Sequence, residues 1–199
     1  MHFQWLRSPW PDELFSLSAH PGYLRIYGRE SIGSPFRQGL VARRQQSFCY
    51  TATTAVRFDA EDFQQMAGLV CYYNAAKFHY LYLTHDETLG KHLRVMSSLP
   101  DQIQTDAFTP PIPIPRNGEV HLRAAVDFER LRFAYSLNGH DWDWLPEQFD
   151  ASILSDEATM PGLPNFTGAF VGMCCQDSSG QGRPADFDYF DYEERDYQP

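Results

Sequence analysis

Asp186 and Asp188 stand two residues apart, with Asp191 soon after, and Asp141 and Asp143 flank Trp142. In an extended chain, positions i and i+2 share a face, so Asp186 and Asp188 would point one way and Asp191 the other. Two carboxylates facing each other across a cleft are what hydrolysis of a glycosidic bond requires. No Glu-x-Asp-x-x-Glu arrangement accompanies them, and the acids near the end of the chain read more simply as a solvated edge. No catalytic residue is assigned.

Other chemistry-bearing groups are sparser. His85 and Asp86 are sequence neighbours and cannot both ligate from one strand face. The segment Thr84–Gly90 ends in glycine between two strand patterns, so a hairpin turn is expected there. The seven histidines show no ligand spacing, and no metal site or cofactor is expected. No nucleophile elbow, phosphate loop or dinucleotide fingerprint occurs. Cys49, Cys71, Cys174 and Cys175 form no Cys-x-x-Cys pair and are read as buried free thiols of a reducing, cytoplasmic setting. Cys174 and Cys175 are adjacent, so in a strand at most one faces any given core. Arg43-Arg44 either holds an acidic neighbour or is a solvated strand end. Trp5, Trp10, Trp142 and Trp144 could stack on sugar rings, although tryptophans in sheets more often pack a core or an interface. Trp5 and Trp10 lie in an irregular, proline-containing stretch and become interface anchors if that stretch docks on another domain.

The elements that must position these groups have a period of two. Phe48, Tyr50, Ala52, Thr54, Val56 and Phe58 share one face of a long strand. Val120 to Val126 and Leu131 to Leu137 alternate likewise, joined by a hairpin at Asp127–Arg130. Asn138-Gly139 marks a further hairpin. Strands are also expected over 22–28, 66–73, 78–84, 92–97, 166–175 and 186–192. Helix signals are confined to single turns at 59–65 and 148–156. Pro110–Pro115 reads as an extended edge, because prolines lack the donors a central strand needs. The pattern predicts an all-β fold, a two-sheet antiparallel β-sandwich or jelly roll. One domain is expected over 1–199, with 1–20 an irregular lead-in and 193–199 a frayed tail.

Composition sets the outer limits. The chain has 199 residues, a net charge of −10 and 15% aromatics. An acidic surface opposes nucleic acid and anionic membranes. No apolar run reaches the roughly 18 residues of a membrane span, and the first residues do not read as a secretory signal. The aromatics suit sheets and also sugar rings.

One segment carries more than pattern: Asn165-Phe166-Thr167-Gly168-Ala169-Phe170-Val171-Gly172-Met173-Cys174-Cys175-Gln176-Asp177, followed by Pro184-Ala185-Asp186-Phe187-Asp188-Tyr189-Phe190. It resembles the C-terminal domain of glycoside hydrolase family 43 β-xylosidases. Further matches run in order through Phe3–Arg7, Leu24–Ser31, Val41–Gln45, Gln64–Leu69, Tyr72–Asn74 and Thr84–Glu87. The resemblance implies a concanavalin A-like sandwich packed on an N-terminal five-bladed propeller. In the family the propeller carries the catalytic Asp and Glu residues. Those enzymes release xylose from xylo-oligosaccharides with inversion, some also acting on arabinofuranosides, and a sandwich loop reaches the mouth of the pocket.

The pocket-walling aromatic precedes the Thr-Gly-Ala-Phe-Val-Gly motif and maps to Phe166, with Asn165 where some relatives carry another aromatic. The chain is expected to begin near the family's domain junction, without the catalytic carboxylates. Its expected partners are the propeller, a xylo-oligosaccharide at the junction and further copies of itself in a homo-oligomer. A stand-alone carbohydrate-binding module and a purely structural, oligomer-forming domain remain alternatives. Gly168 and Gly172 suit either close sheet packing or approach to a partner.

Overall fold

The computed structural model describes residues 2–6, 8–99, 107–158 and 167–195. Its strands are β1 (Phe3–Gln4), β2 (Phe15–Ser16), β3 (Leu24–Tyr27), β4 (Gly39–Arg44), β5 (Cys49–Arg57), β6 (Gln65–Asn74), β7 (Lys77–Asp86) and β8 (Gly90–Ser98). They continue with β9 (Ala107–Phe108), β10 (Ile112–Pro113), β11 (Val120–Asp127), β12 (Arg130–Ser136), β13 (Asp143–Asp150), β14 (Phe170–Asp177) and β15 (Pro184–Glu194). One sheet runs β1-β4-β14-β6-β7-β8-β10, with β9 also on β8; the other runs β13-β12-β11-β5-β15-β3-β2. All of these pairings are antiparallel. The expected sandwich is what the chain forms.

Alternation decides which side chains meet. Tyr50, Ala52 and Val56 of β5, Leu122, Ala124 and Val126 of β11, and Leu131 and Phe133 of β12 pack from the second sheet. They meet Leu69 and Cys71 of β6, Leu81 and Leu83 of β7, and Val171 and Met173 of β14 from the first. The alternate positions of the first sheet build a second apolar layer on its other face, with Val70, Tyr72, Phe78, Tyr80, Tyr82 and Cys174. Cys174 and Cys175 thus serve different cores, as their adjacency required. All four cysteines are buried and free. Much of the aromatic content goes here: Tyr80 on β7 reaches past β6 to donate its hydroxyl to the Cys174 carbonyl of β14 at 2.9 Å.

The last long strands sit in the middle of both sheets, β14 between β4 and β6 and β15 between β5 and β3. Gly172 explains one of the close fits. A Cβ there would lie 2.4 Å from the Ala42 Cα and the Val41 carbonyl of β4, both backbone. The sheet-packing reading of this glycine therefore holds.

Several local readings needed correction. Phe48 is 69% exposed and lies outside β5; it stacks on Phe128 of the β11–β12 turn, with centroids 6.0 Å apart. Leu137 is also exposed, because β12 ends at Ser136 and the Asn138-Gly139 turn has begun. That connection is longer than a two-residue hairpin: the Asn138 carboxamide accepts from the amides of His140 and Asp141. The segment Gln148–Asp156, read as a helical turn, is the end of β13 followed by a 3-10 turn at Ala151–Leu154. Over 59–65, by contrast, the expected single turn does close, with the Gln65 amide donating to the Asp62 carbonyl at 3.3 Å.

The 1–20 stretch contributes β1 to one sheet and β2 to the other. Glu193 and Glu194 complete β15, and Arg195 donates to the carbonyls of Tyr50 and Val126, at 3.3 and 2.9 Å. The prolines of 110–115 give only the short edge strand β10. The Thr84–Gly90 segment is the expected turn, with Asp86 Oδ1 accepting from the amides of Thr88 and Leu89, both at 2.7 Å.

Replacing Gly172 with Ala should force backbone apart in the centre of the sheet. We expect a loss of about 1–3 kcal/mol, the usual range for overpacking, read as a lower urea midpoint at unchanged slope.

Candidate functional site at the base of the Thr167 segment

In the β6–β7 hairpin β6 ends at Asn74, one residue after Tyr73, and β7 starts at Lys77, across a turn in which Asn74 Oδ1 accepts the Ala76 amide at 2.9 Å. Tyr73, Lys77, Leu81 and Leu83 all face the second sheet, so the parity that carries leucines here carries a lysine. Lys77 has no solvent exposure. A buried ammonium needs acceptors, and Nζ finds them in the carbonyls of Ser155 and Ala158, at 2.6 and 2.8 Å. It also lies 3.7 Å from the centroid of the Tyr73 ring, a cation–π contact that is strong when desolvated. Burial lowers the Lys77 pKa, while Asp156 and Glu157 pull it back up.

Tyr73 holds the chain on both sides of 159–166, at Asp156 and at Thr167. The Tyr73 hydroxyl donates to Asp156 Oδ1. Thr167 Oγ1 donates to the Tyr73 carbonyl at 3.0 Å. Burial first, then the bond to Asp156, raises the Tyr73 pKa and keeps the phenol protonated. Arg44 of β4 donates to the Thr167 carbonyl and lies over the Phe170 ring, 4.7 Å from its centroid. Gly168 follows at φ +71°, where a side chain is strained. Residues 155–158 and 167–168, which flank the segment containing Phe166, are therefore tied to one hairpin and one strand end.

A second buried base supports the approach to this base. The Asp150 carbonyl can only accept, so His79 Nε2–H donates to it at 3.0 Å, and Nδ1 takes the Ser97 hydroxyl proton at 2.7 Å. That neutral tautomer fits a pKa pushed down to about 4 by burial. The Asp150 carboxylate accepts the Ser152 amide at 2.8 Å and starts the 3-10 turn that leads to Ser155.

Of the residues singled out from sequence, Trp5 joins this region and Trp10 does not. Trp5 meets Phe15 edge to face, 5.2 Å between centroids, and donates Nε1–H to the Ser8 carbonyl at 3.2 Å. It lines a cavity of about 280 Å³ together with Arg44, Tyr72, Tyr73, Thr167 and Phe170. It also lines a second one of about 560 Å³, largely apolar, with Phe3, Phe15, Leu17, Tyr23 and Phe190. Trp10 is 64% exposed. Phe166 and Asn165 lie outside the described residues.

Among the described residues Arg43 and Arg44 pair with no acid; Arg43 lies over Tyr192, 3.9 Å from its centroid. Trp142 and Trp144 carry the guanidinium groups of Arg123 and Arg132 on their faces, at 3.6 and 4.6 Å. Asp186 accepts from Arg25 at 2.7 and 2.8 Å and from His20 at 2.8 Å. Burial alone would raise its pKa, but these bonds outweigh it and hold the carboxyl low, unsuited to giving up a proton as an acid. No group of three His, Cys, Asp or Glu side chains among the described residues is placed to hold a metal ion.

The sequence reading missed Tyr73, Lys77 and His79. The available signal was a cation and an imidazole at i and i+2 on the same parity as Leu81 and Leu83.

Comparisons with known proteins show the family of the chain. Residues 1–193 match the family model described as the beta xylosidase C-terminal concanavalin A-like domain. The chain is 44% identical over 191 residues to a putative beta-xylosidase of Escherichia coli K12, covering 96% of this chain and 35% of that protein. It is 44% identical over 200 residues to a beta-xylosidase of Bacillus subtilis 168, covering 98% of this chain and 36% of that one. The crystal structure of xylan beta-1,4-xylosidase from Bacillus halodurans C-125 superposes with a TM-score of 0.90 at 37% identity, over 97% of this chain and 37% of that one. The chain spans about a third of the length of these relatives.

Lys77→Met should leave two buried carbonyls without a donor. We expect a loss of about 2–4 kcal/mol, with faster hydrogen exchange over 151–156. His79 gives a pH dependence of known sign. Its folded pKa lies below the unfolded value, so the unfolded chain binds the proton more readily. Stability is complete above about pH 6.5 and falls as pH drops towards about 4, by roughly 3 kcal/mol in all. His79→Gln should flatten that part of the profile in urea titrations.

Proposed function

This chain belongs to the family of β-xylosidase C-terminal concanavalin A-like domains of glycoside hydrolase family 43, and on that premise we propose that it steadies a catalytic propeller and completes its substrate pocket with an aromatic loop. Phe166 is the pocket aromatic in this reading, and the ligand at the junction is a xylo-oligosaccharide. The observation that carries it is the double clamp: Lys77 and Tyr73 grip the chain on both sides of 159–166. A ring that walls off a sugar pocket acts by shape, water exclusion and positioning, so a loose base would waste it.

The docking reading draws on the same corner of the sandwich. Trp5 partitions two adjoining cavities, one of which reaches Thr167. Leu17 lines the larger of these cavities and is exposed, and Trp10 is exposed five residues along the chain from Trp5. A partner surface laid over this corner would cover apolar area and meet the segment carrying Phe166 together. Trp5 is the inner anchor and Trp10 the outer one, facing the propeller or another subunit of a homo-oligomer. The chemistry belongs to carboxylates on the propeller. Four free, buried thiols support a reducing, cytoplasmic setting. No helix among the described residues is long and apolar enough to cross a membrane.

The test joins this chain to a family 43 catalytic domain and assays aryl β-xyloside hydrolysis. The 199-residue chain alone should be inactive. In the joined protein, Phe166→Ala should lower kcat/KM about 10–100-fold with the fold intact, in line with the cost of losing a positioning contact. Hydrolysis by the isolated chain, or an unchanged kcat/KM in the variant, would refute the reading.

A further inference from the structure

Five of the 16 lysines and arginines of this acidic chain line a single cleft of about 470 Å³: Arg25, Arg57, Lys91, Arg116 and Arg183. It opens at the far end of β7 and β8 from Lys77. Lys91 pairs with His85, eight residues along β7 from Lys77, or about 26 Å at the rise of a strand.

Three of the five cations are matched. Arg25 grips Asp186 through two hydrogen bonds. Arg57 donates to Glu119 at 3.2 Å. Arg183 pairs with Glu61. The other two have capacity left. Lys91 is 5% exposed, yet its three donors meet one acceptor among the described residues, the Arg116 carbonyl at 3.2 Å. Asp59 favours the ammonium through space, but no ion pair closes between them. The Arg116 guanidinium has no partner among the described residues, and His85 beside Lys91 has a buried Nδ1 with none either.

A desolvated ammonium with empty donor positions is unfavourable by several kcal/mol. An oxyanion would fill those positions, and a guanidinium fork at the rim suits a carboxylate or phosphate. The cleft has the size of a small-molecule site. Two of the three carboxylates along its wall, Asp186 and Glu119, are engaged by Arg25 and Arg57, which limits their repulsion of an incoming anion; the third, Asp59, forms no ion pair among the described residues.

We propose that this cleft binds a small oxyanion, carboxylate or phosphate, between Lys91 Nζ and the Arg116 guanidinium. Calorimetry of the 199-residue chain at low salt tests it, with sodium glucuronate and inorganic phosphate as probes and xylose as the neutral control. At least one anion should bind at one equivalent, more weakly as salt rises, and xylose should give no matching heat. Glucuronate alone would assign a sugar carboxylate, phosphate alone a phosphate ligand, and both a general oxyanion site. Affinity should fall at least tenfold in Arg116→Ala, an exposed position whose loss leaves the fold intact, and in Lys91→Met. If Lys91→Met does not fold, Arg116→Ala decides. Absence of binding by both anions, or wild-type affinity in either folded variant, overturns the proposal.

Discussion

A single buried charge sets the terms at one end of this sandwich. Lys77 stands where the inward parity of β7 calls for an apolar residue, and it is fully removed from solvent. Such a group is tolerated only if its donors are filled. Two carbonyls from 155–158 and the face of Tyr73 fill them. The dependence runs both ways: the charge needs those carbonyls, so the backbone carrying them cannot leave without stranding it. A leucine at this position would pack as well but would impose no such condition on the segment above it.

That condition matters because of where the strands lie. Thr167 is three residues ahead of β14, and β14 is hydrogen-bonded on both sides, to β4 and β6. The chain returning from 159–166 therefore enters the middle of a sheet, with Arg44 and Tyr73 fixing its last free carbonyl and hydroxyl. Gly172 lets β4 and β14 approach without a side chain between them. The position of Thr167 is thereby referred to the sheet interior, where neighbours on both sides constrain it.

The sheets were legible because alternation reports directly on burial, and nearly every long strand follows from it. The errors fell where a side chain left the strand plane. Phe48 and Leu137 continue the period of two, but each sits one residue beyond its strand, where the chain already turns. The 3-10 turn after β13 is fixed by His79 and by the Asp150 carboxylate, long-range and capping contacts that no local propensity reveals. The family motif around Thr167–Asp177 was readable, whereas the grip on it was not. Tyr73 lies ninety-four residues from Thr167, and only the antiparallel pairing of β14 with β6 brings them together. The carboxylates were the opposite case. Their spacing suggested chemistry, and their partners, Arg25 and His20 above all, show Asp186 locked in an ion pair.

Two lysines on the same face of neighbouring strands show how one residue type yields different consequences. Lys77 and Lys91 are both buried, both turned between the sheets and both lowered in pKa by burial. What separates them is the acceptor count. Lys77 has two carbonyls at 2.6 and 2.8 Å and an aromatic face, and closes over backbone. Lys91 has one longer bond at 3.2 Å and a cleft beside it. A saturated buried cation acts as a structural tie, because any further ligand would have to displace a good bond. An unsaturated one at the wall of a cavity keeps donor capacity that only an incoming acceptor can use. The difference is a property of the loops crossing each end: 155–158 supplies carbonyls in number, whereas 116–119 supplies one carbonyl and a guanidinium.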